Sequence, residues 1–159
     1  EDFYLLRHLE SAMARVLIRG GNYLLNVGPD PRGVITDDYA DRLRSIGEWY
    51  KTVRPALIDT DMANEHVRNP ELFATRSGHT LYLAFVGQLN CPGQSIPPIR
   101  VLPQRATLLN DGSPVEFDLH LHHAGLVLRL RHLPLTEKPD ETLVVQLDFD
   151  RDPFEAPPA

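Results

Sequence analysis

The chain contains a single cysteine, no long apolar run and no excess of positive charge. Cys91 has no second cysteine to pair with, which excludes a disulfide-stabilised scaffold but leaves the cellular compartment open. No apolar run approaches the roughly 18 to 20 residues that cross a bilayer. With 16 Lys plus Arg against 22 Asp plus Glu, the formal net charge is −6, opposite in sign to the basic surface that nucleic-acid phosphates attract. No nucleic acid and no membrane are therefore expected as partners.

The chain is also too short for a large enzyme fold. Its 159 residues correspond to one domain or two small ones, whereas a complete eight-fold α/β barrel needs roughly 200 residues or more. The hydrophobic share of 42% and charged share of 24% are typical of a globular protein. The chain starts at Glu1 without a methionine, so we expect the natural N-terminus, with any signal peptide, to lie upstream.

The N-terminal third of the sequence predicts two helices around one short strand. Between Phe3 and Arg19 apolar residues recur every three or four positions, the period of a helix face, and Gly20-Gly21 is expected to end this helix. Residues 22–27 form an apolar run typical of a buried parallel strand, and a second helix is predicted from about Asp37 to Thr52. A buried strand needs neighbours that this chain does not supply, so residues 1–55 are interpreted as the end of a larger α/β structure. The side chains expected to face the core are Leu5, Leu9, Ala12, Met13, Val16 and Leu17 in the first helix and Tyr39, Leu43, Ile46 and Tyr50 in the second.

The pattern then changes to short strands. Residues 56–71 are polar and aperiodic and are predicted to be a linker. From residue 72 onward, strand-forming runs alternate with turn sequences, and leucines alternate with charged residues in Gly125–Arg131, as in a sheet with one solvated face. We therefore predict a small antiparallel β-sandwich over residues 72–151 and a tail over residues 152–159. The predicted strands are Thr80–Val86, Arg100–Leu102, Ala106–Leu109, Pro114–His122, Gly125–Arg131 and Thr142–Phe149.

The glycine-rich segment and the second helix resemble one enzyme family. Residues 20–29 read GGNYLLNVGP, Gly33-Val34-Ile35 follows, and residues 42–50 read RLRSIGEWY. This order resembles the retaining α-L-fucosidases of glycoside hydrolase family twenty-nine, in which such a segment is the last strand of the catalytic barrel. The resemblance implies an α+β chain, with the terminal strand and helices of a (β/α)8 barrel followed by a small antiparallel β-sandwich. Weaker similarity to the family's sandwich lies in residues 78–83, 106–112 and 141–147.

The resemblance also implies an activity for the parent protein. Such enzymes release terminal α-L-fucose with retention and without a cofactor or metal, using an aspartate nucleophile and a carboxylic acid/base about 5 Å apart. The nucleophile lies on an earlier barrel strand that this chain lacks, so the chain alone is expected to be inactive. The acid/base lies upstream of the glycine-rich segment, and Glu1 falls near that region as a candidate. The implied partners are a fucosylated glycan or glycoconjugate and the remainder of the barrel, with self-association through the exposed barrel surface. A secreted, periplasmic or lysosomal-type parent is compatible with this resemblance.

Three residues of the glycine-rich segment become candidates for substrate binding through this resemblance. Tyr23 is expected to line the apolar pocket for the C5 methyl group of fucose, since aromatic faces suit apolar sugar faces and barrel substrates bind at the C-terminal mouth. The alternative is that Tyr23 is a core side chain of a buried strand. Asn22 and Asn26 are expected to hydrogen-bond either sugar hydroxyls or the neighbouring loop backbone. Trp49, near the end of a helix outside the barrel, is predicted to pack in a core or between domains.

Two functions of other classes stay open. A non-catalytic carbohydrate-binding module would need exposed aromatic side chains on the sandwich, where most aromatics lie in apolar runs. A metal-binding or interaction domain would use His120 and His122, which lie two positions apart on a predicted strand with Asp118 and so project from one face. A solvated strand face is the alternative, because a structural zinc site needs four ligands and a catalytic one three.

Two other groups of acidic residues are predicted to have structural rather than catalytic roles. Glu10 is grouped with the acidic residues at the start of the first helix, where the helix dipole favours negative charge. The alternating aspartates of residues 148–152 are interpreted as a solvated sheet edge, with a calcium site as the alternative.

Overall fold

The computed structural model describes residues 5–67, 69–122 and 125–155. Two α-helices come first, α1 over Leu6–Leu17 and α2 over Asp37–Leu57, and a short 3₁₀ helix covers Asn64–His66. All strands follow α2. They are β1 Asp61–Met62, β2 Leu72–Ser77, β3 Thr80–Phe85, β4 Gln94–Ile96, β5 Arg105–Leu108, β6 Glu116–His122, β7 Gly125–Arg131 and β8 Val144–Asp148.

The strands form two antiparallel sheets that pack face to face. The larger sheet has the order β1-β2-β3-β8-β5 and the smaller one the order β4-β7-β6. Leu83 of β3 lies opposite Val145 of β8 in the larger sheet, and Leu119 of β6 lies opposite Leu128 of β7 in the smaller one. The predicted antiparallel β-sandwich is therefore confirmed, and the chain has an α+β fold of two helices and this sandwich.

The larger sheet is covered on both faces, which explains the apolar sequence of β3. Leu81, Leu83 and Phe85 belong to the core between the sheets. Tyr82 and Ala84 point to the other side, where they pack in a second core with the helices. Successive strand residues face opposite sides, so a strand between two apolar layers reads as a nearly continuous apolar run.

The smaller sheet has one solvated face, as the alternation in β7 predicts. Leu128 and Leu130 are fully buried against the larger sheet. Arg129 lies between them on the outer face, opposite Asp118 of β6. At the far end of the β6–β7 pair, Leu121 and Leu126 are opposite each other and largely exposed.

Both helices form at their predicted positions, but their buried faces differ from the predicted stripes. Gly20, with φ of +75°, and the hydrogen bond from Gly21 N–H to Val16 O end α1 as expected. α2 continues past Thr52 to Leu57, with Pro55 in its last turn, because the burial of the final residues outweighs the one backbone hydrogen bond that proline removes there. The buried residues are Glu10, Ser11 and Ala14 on α1 and Ile46, Trp49, Val53, Ala56 and Leu57 on α2.

Two predicted strands are not formed. Residues 22–27 are not paired in either sheet, because the described chain offers no parallel neighbour to complete the backbone hydrogen bonds of a strand. Residues 100–102 are irregular because β7 is already paired with β4 there, and Ile99 O accepts the N–H of Leu128. Strands β1, β2 and β4 were not among the predicted strands.

The segment predicted to be a linker contributes to the sandwich. Within residues 56–71, β1 pairs with β2, and Ala63 and Val67 are buried in the core between the sheets. The boundary between a barrel-derived region and a sandwich domain stays a prediction. In the described part of the chain, no helix is both long enough and apolar enough to cross a membrane.

Candidate functional site

The predicted substrate-binding residues lie on an extended segment with two different faces. Asn22, Leu24 and Asn26 are exposed, whereas the alternate residues Tyr23, Leu25 and Val27 are half-buried. Such a period of two is typical of extended backbone, in which neighbouring side chains point to opposite sides. Partial burial raises the pKa of the Tyr23 phenol. The alternation therefore separates Tyr23 from the two asparagines.

An internally bonded loop follows this segment. One carboxylate oxygen of Asp30 accepts the backbone N–H groups of Arg32 and Val34, each at 2.9 Å, and the other accepts the Arg32 guanidinium. The hydrogen bond from Val34, followed by that from Arg32, lowers the pKa of Asp30. Gly33 takes the left-handed φ of +82° that the turn requires. The loop is thus held by its own aspartate, which occupies two of its amide donors.

Exposed apolar side chains concentrate in the N-terminal region. Five of the nine large exposed hydrophobic residues in the described chain lie at or before residue 43. Leu24 is the extreme case, with 82% of its surface accessible. The apolar stripe predicted for α1 is only half-buried at Leu9, Met13 and Val16. Exposed large apolar side chains are thus more frequent in this region than in the rest of the described chain.

Trp49 joins α2 to the sandwich. Its indole is buried in the core between the helices and the larger sheet, and its Nε1–H donates to the carbonyl oxygen of Thr142 at 2.9 Å. Thr142 precedes β8 and is itself fully buried. The prediction that Trp49 packs in a core is confirmed.

Glu10 is a buried acid that the sequence reasoning misinterpreted. It is only 2% exposed, and α1, which begins at Leu6, has no acidic residue in its first turn. Burial raises the pKa of Glu10 to about 7, against the lowering effect of a hydrogen bond from the Thr142 N–H. The spacing of Glu10, Ala14 and Ile18 at every fourth position was the available signal, because residues at i, i+4 and i+8 share a helix face.

Asp118, the acidic neighbour of the predicted histidine pair, is held in ion pairs with arginines. Asp118 lies on the same face of β6 as His120, but its carboxylate accepts the Arg129 guanidinium at 2.9 and 2.6 Å and lies 3.4 Å from Arg131. A metal at this position would have to displace both arginines. Among the described residues, no group of three or more His, Cys, Asp or Glu side chains could hold a metal ion. Metal binding by His120 and His122 stays a prediction, and Glu1 lies outside the described residues.

Asp148 and Asp152, at the end of β8, likewise form hydrogen bonds and ion pairs with neighbouring residues. Asp148 accepts hydrogen bonds from Gln146, Arg105 and Thr80. Asp152 pairs with Arg76 at 3.2 Å. These contacts explain the aspartates as parts of the sheet edge.

In the described part of the sandwich, aromatic side chains do not form an exposed platform. The six aromatic residues after Tyr50 are all buried or half-buried. A sugar-binding surface needs accessible ring faces, so the carbohydrate-binding alternative lacks the feature that would support it. These residues are Phe73, Tyr82, Phe85, Phe117, Phe149 and Phe154.

Several known α-L-fucosidases are similar to this chain. The alpha-L-fucosidase family model matches residues 2–53. Tissue alpha-L-fucosidase of Bos taurus is 27% identical over 135 residues, which cover 82% of this chain and 28% of the bovine protein. The crystal structure of alpha-L-fucosidase from Vibrio sp. strain EJY3 matches 96% of this chain and 27% of that chain, with a TM-score of 0.76 and 22% identity. For Thermotoga maritima alpha-fucosidase the TM-score is 0.67 at 24% identity, over 92% of this chain and 35% of that one.

The chain thus resembles the C-terminal part of α-L-fucosidases in sequence, and its fold matches theirs. It spans less than a third of the length of the bovine relative.

Proposed function

We propose that the chain is the C-terminal portion of an α-L-fucosidase, a glycoside hydrolase that releases terminal α-L-fucose from glycans or glycoconjugates with retention. The observation that carries this proposal is the unpaired segment of residues 22–27, in which every second side chain is exposed, beside two helices and a completed sandwich. In a (β/α)8 barrel this segment would be the last strand, paired on both sides by strands of the preceding region. The sandwich would then support the barrel from outside.

The helices support the same arrangement. One side of α1 packs on the sandwich through Ala14 and Ile18. Its larger apolar side chains, such as Leu9 and Val16, are only half-buried. A helix of a barrel packs on the strand cylinder, so this second side is the surface that the missing strands would cover.

The exposure pattern of the segment suggests which candidates face the substrate. Barrel strands alternate between residues that point inward and residues that point to the surrounding helices. Tyr23 is half-buried against this chain, whereas Asn22 and Asn26 are exposed. We therefore expect the two asparagines to face the barrel interior and Tyr23 to pack towards the helices.

Catalysis would depend on residues outside this chain. Retaining glycosidases need two carboxyl groups about 5 Å apart. The nucleophile belongs to an earlier barrel strand, so the chain alone should be inactive. The proposed mechanism requires no metal and no cofactor.

The test compares the complete gene product with the 159-residue chain on a chromogenic aryl α-L-fucoside. We expect hydrolysis by the longer product and none by the chain alone, with α-fucose as the first product in ¹H NMR. Hydrolysis by the chain alone would contradict the proposal. Release of β-fucose first would replace retention by inversion.

Variants of the longer product test which side chains of residues 22–27 face the barrel interior. Asn26→Ala should lower kcat/KM substantially, whereas Tyr23→Leu should leave it within a few-fold, because Leu keeps apolar packing towards the helices but offers no ring face to the sugar. A larger loss from the Tyr23 variant than from Asn26→Ala would indicate that Tyr23 lines the substrate pocket.

Without the rest of the barrel, the exposed N-terminal surface should promote self-association of the isolated chain. Light scattering over a concentration series is expected to show a rising mean mass. A constant monomer mass at high concentration would show that the apolar residues do not form an adhesive surface.

A further inference from the structure

Three parts of the fold meet at Thr142. Its N–H donates to Glu10 Oε2 of α1 at 2.6 Å, and its hydroxyl lies 2.8 Å from the hydroxyl of Ser11. Its carbonyl oxygen accepts the Trp49 indole N–H of α2 at 2.9 Å and the Asn110 side-chain amide at 3.1 Å. Thr142, in the segment just before β8, therefore connects both helices to the sandwich by hydrogen bonds.

Among the described side chains that hydrogen-bond to Thr142, Glu10 is the one that can change its charge. It borders a cavity of about 380 Å³ between the helices and the loop before β8. Glu48 of α2 and Asp140 and Glu141 of the loop line the same cavity, and the charges of Glu141 and Asp140 act against ionisation of Glu10, whereas Arg7 of α1 favours it.

The cations that act on these carboxylates, Arg7 on Glu10 and Lys138 on Glu141, also contact other groups. The Arg7 guanidinium also donates to the carbonyl oxygen of Gly87 in the sandwich. Lys138 lies 3.4 Å from the carboxylates of both Glu141 and Asp111. Glu10 itself is 2% exposed, so water solvates a charge on its carboxyl poorly.

We propose that Glu10 is a pH-sensitive contact that fastens the two-helix layer to the β-sandwich, closed when the carboxyl is protonated and loosened when it ionises. A protonated carboxyl still offers Oε2 to the Thr142 N–H. An ionised one places a poorly solvated negative charge beside two further carboxylates. Loosening would expose the carboxylate to more water and relieve that cost.

The direction of the effect follows from linkage. The pKa of Glu10 is raised by burial from 4.5 to about 7. A raised pKa in the folded state means that the contribution of this contact is complete below about pH 4.5 and is lost as the pH rises through 7. The helix layer should therefore be held most firmly in mild acid. This inference concerns the junction and does not depend on the proposed hydrolase activity.

Trp49 supplies the readout, since it is the single tryptophan of the chain and its indole is bonded to the same Thr142 carbonyl. The fluorescence of the 159-residue chain is followed from pH 5 to pH 9, with circular dichroism as a check that the secondary structure persists. We expect a sigmoidal change of emission with a midpoint near pH 7. In Glu10→Gln, which keeps the size of the side chain but cannot ionise, this transition should be absent.

Two further variants separate Glu10 from its neighbours. Glu48→Gln neutralises an exposed carboxylate of the same cavity and should keep the transition. His8→Gln removes an imidazole two positions from Glu10 on α1 and should keep the transition as well. Loss of the transition in either control but not in Glu10→Gln would overturn the proposal, as would an unchanged emission in the parent chain.

A direct titration of the Glu10 carboxyl tests the proposal even where Glu10→Gln fails to fold. Carboxyl ¹³C NMR of the parent chain should show Glu10 titrating near pH 7. A midpoint near the ordinary value of 4.5 would overturn the proposal.

Discussion

The β-sandwich completes its own core, whereas the first 43 residues leave apolar surface uncovered. In the sandwich, Leu81, Leu128 and Leu147 have no accessible surface. In the N-terminal region, Leu5 and Leu24 are 68% and 82% exposed. Both regions are rich in leucine, so composition does not distinguish them.

The difference lies in which backbone partners are present. Each central strand of the sandwich has a hydrogen-bonded neighbour on both sides, so its side chains are held in register against the opposite sheet. The segment of residues 22–27 has strand-like alternation but no neighbouring strand. An apolar residue contributes to stability only where a partner surface removes it from water. The stability of the chain should therefore come from the sandwich and from the helix contacts with it.

The largest effect is expected from Leu128→Ala in β7. Leu128 is fully buried between the sheets, and truncating it removes apolar contacts and leaves a cavity. Such substitutions typically cost about 2–5 kcal/mol. Denaturant unfolding followed by circular dichroism measures this, and a loss below about 1 kcal/mol would show that the core is loosely packed there.

A smaller effect is expected from Trp49→Phe at the junction between the two regions. Phenylalanine keeps an aromatic ring but lacks the N–H that bonds Thr142. We expect a loss of about 1–3 kcal/mol in the free energy of unfolding, from lost volume and one lost hydrogen bond.

The double variant with Asn110→Ala sharpens this result. Asn110 is the other donor to the Thr142 carbonyl, so removing both donors leaves a buried acceptor unsatisfied. The combined loss should exceed the sum of the single losses. Strict additivity would mean that water replaces the missing donors.

Much of the fold follows from the sequence because the relevant signals are local. Strand β7 has the predicted bounds Gly125–Arg131, since its alternation reflects one buried and one solvated face. Helix α1 forms where the 3.6-residue period predicts it. Turn residues such as Gly112, with φ of +77°, mark positions where the chain must reverse.

The parts that were missed depend on distant partners. The short strands β1 and β4 exist because β2 and β7 offer edges to pair with, and no local pattern of two or three residues predicts that. Residues 22–27 have a strand sequence but lack the partner. For the candidate site, alternation alone separates Tyr23 from Asn22 and Asn26, but the burial of Glu10 depends on which side of α1 meets Thr142.

A pH-dependent loss is expected from Asp148→Asn in β8. Burial acts to raise the pKa of Asp148, but hydrogen bonds from Gln146, Arg105 and Thr80 outweigh it and lower the pKa. A lowered pKa means that this carboxylate contributes stability above about pH 4 and loses it as the pH falls through the folded-state value.

The variant should therefore lose about 1–2 kcal/mol at pH 7, and its difference from the parent chain should shrink as the pH falls below about 4. Arg105→Gln, which removes one largely exposed donor, should cost less. A difference that does not shrink as the pH falls would indicate a packing effect rather than a charge effect.

The smallest effect on folding is expected from Leu24→Ala, the same substitution as in β7 but in the uncovered region. Leu24 is 82% exposed, so its truncation removes little buried surface, and the free energy of unfolding should change by less than about 0.5 kcal/mol. The same change should reduce self-association of the chain and, in the longer gene product, should destabilise the barrel by the amount typical of a core leucine, about 2–5 kcal/mol. Denaturant unfolding of both proteins measures this contrast. A neutral effect in both would mean that no strand covers Leu24, and a large effect in the short chain would mean that residues 22–27 already pack within it.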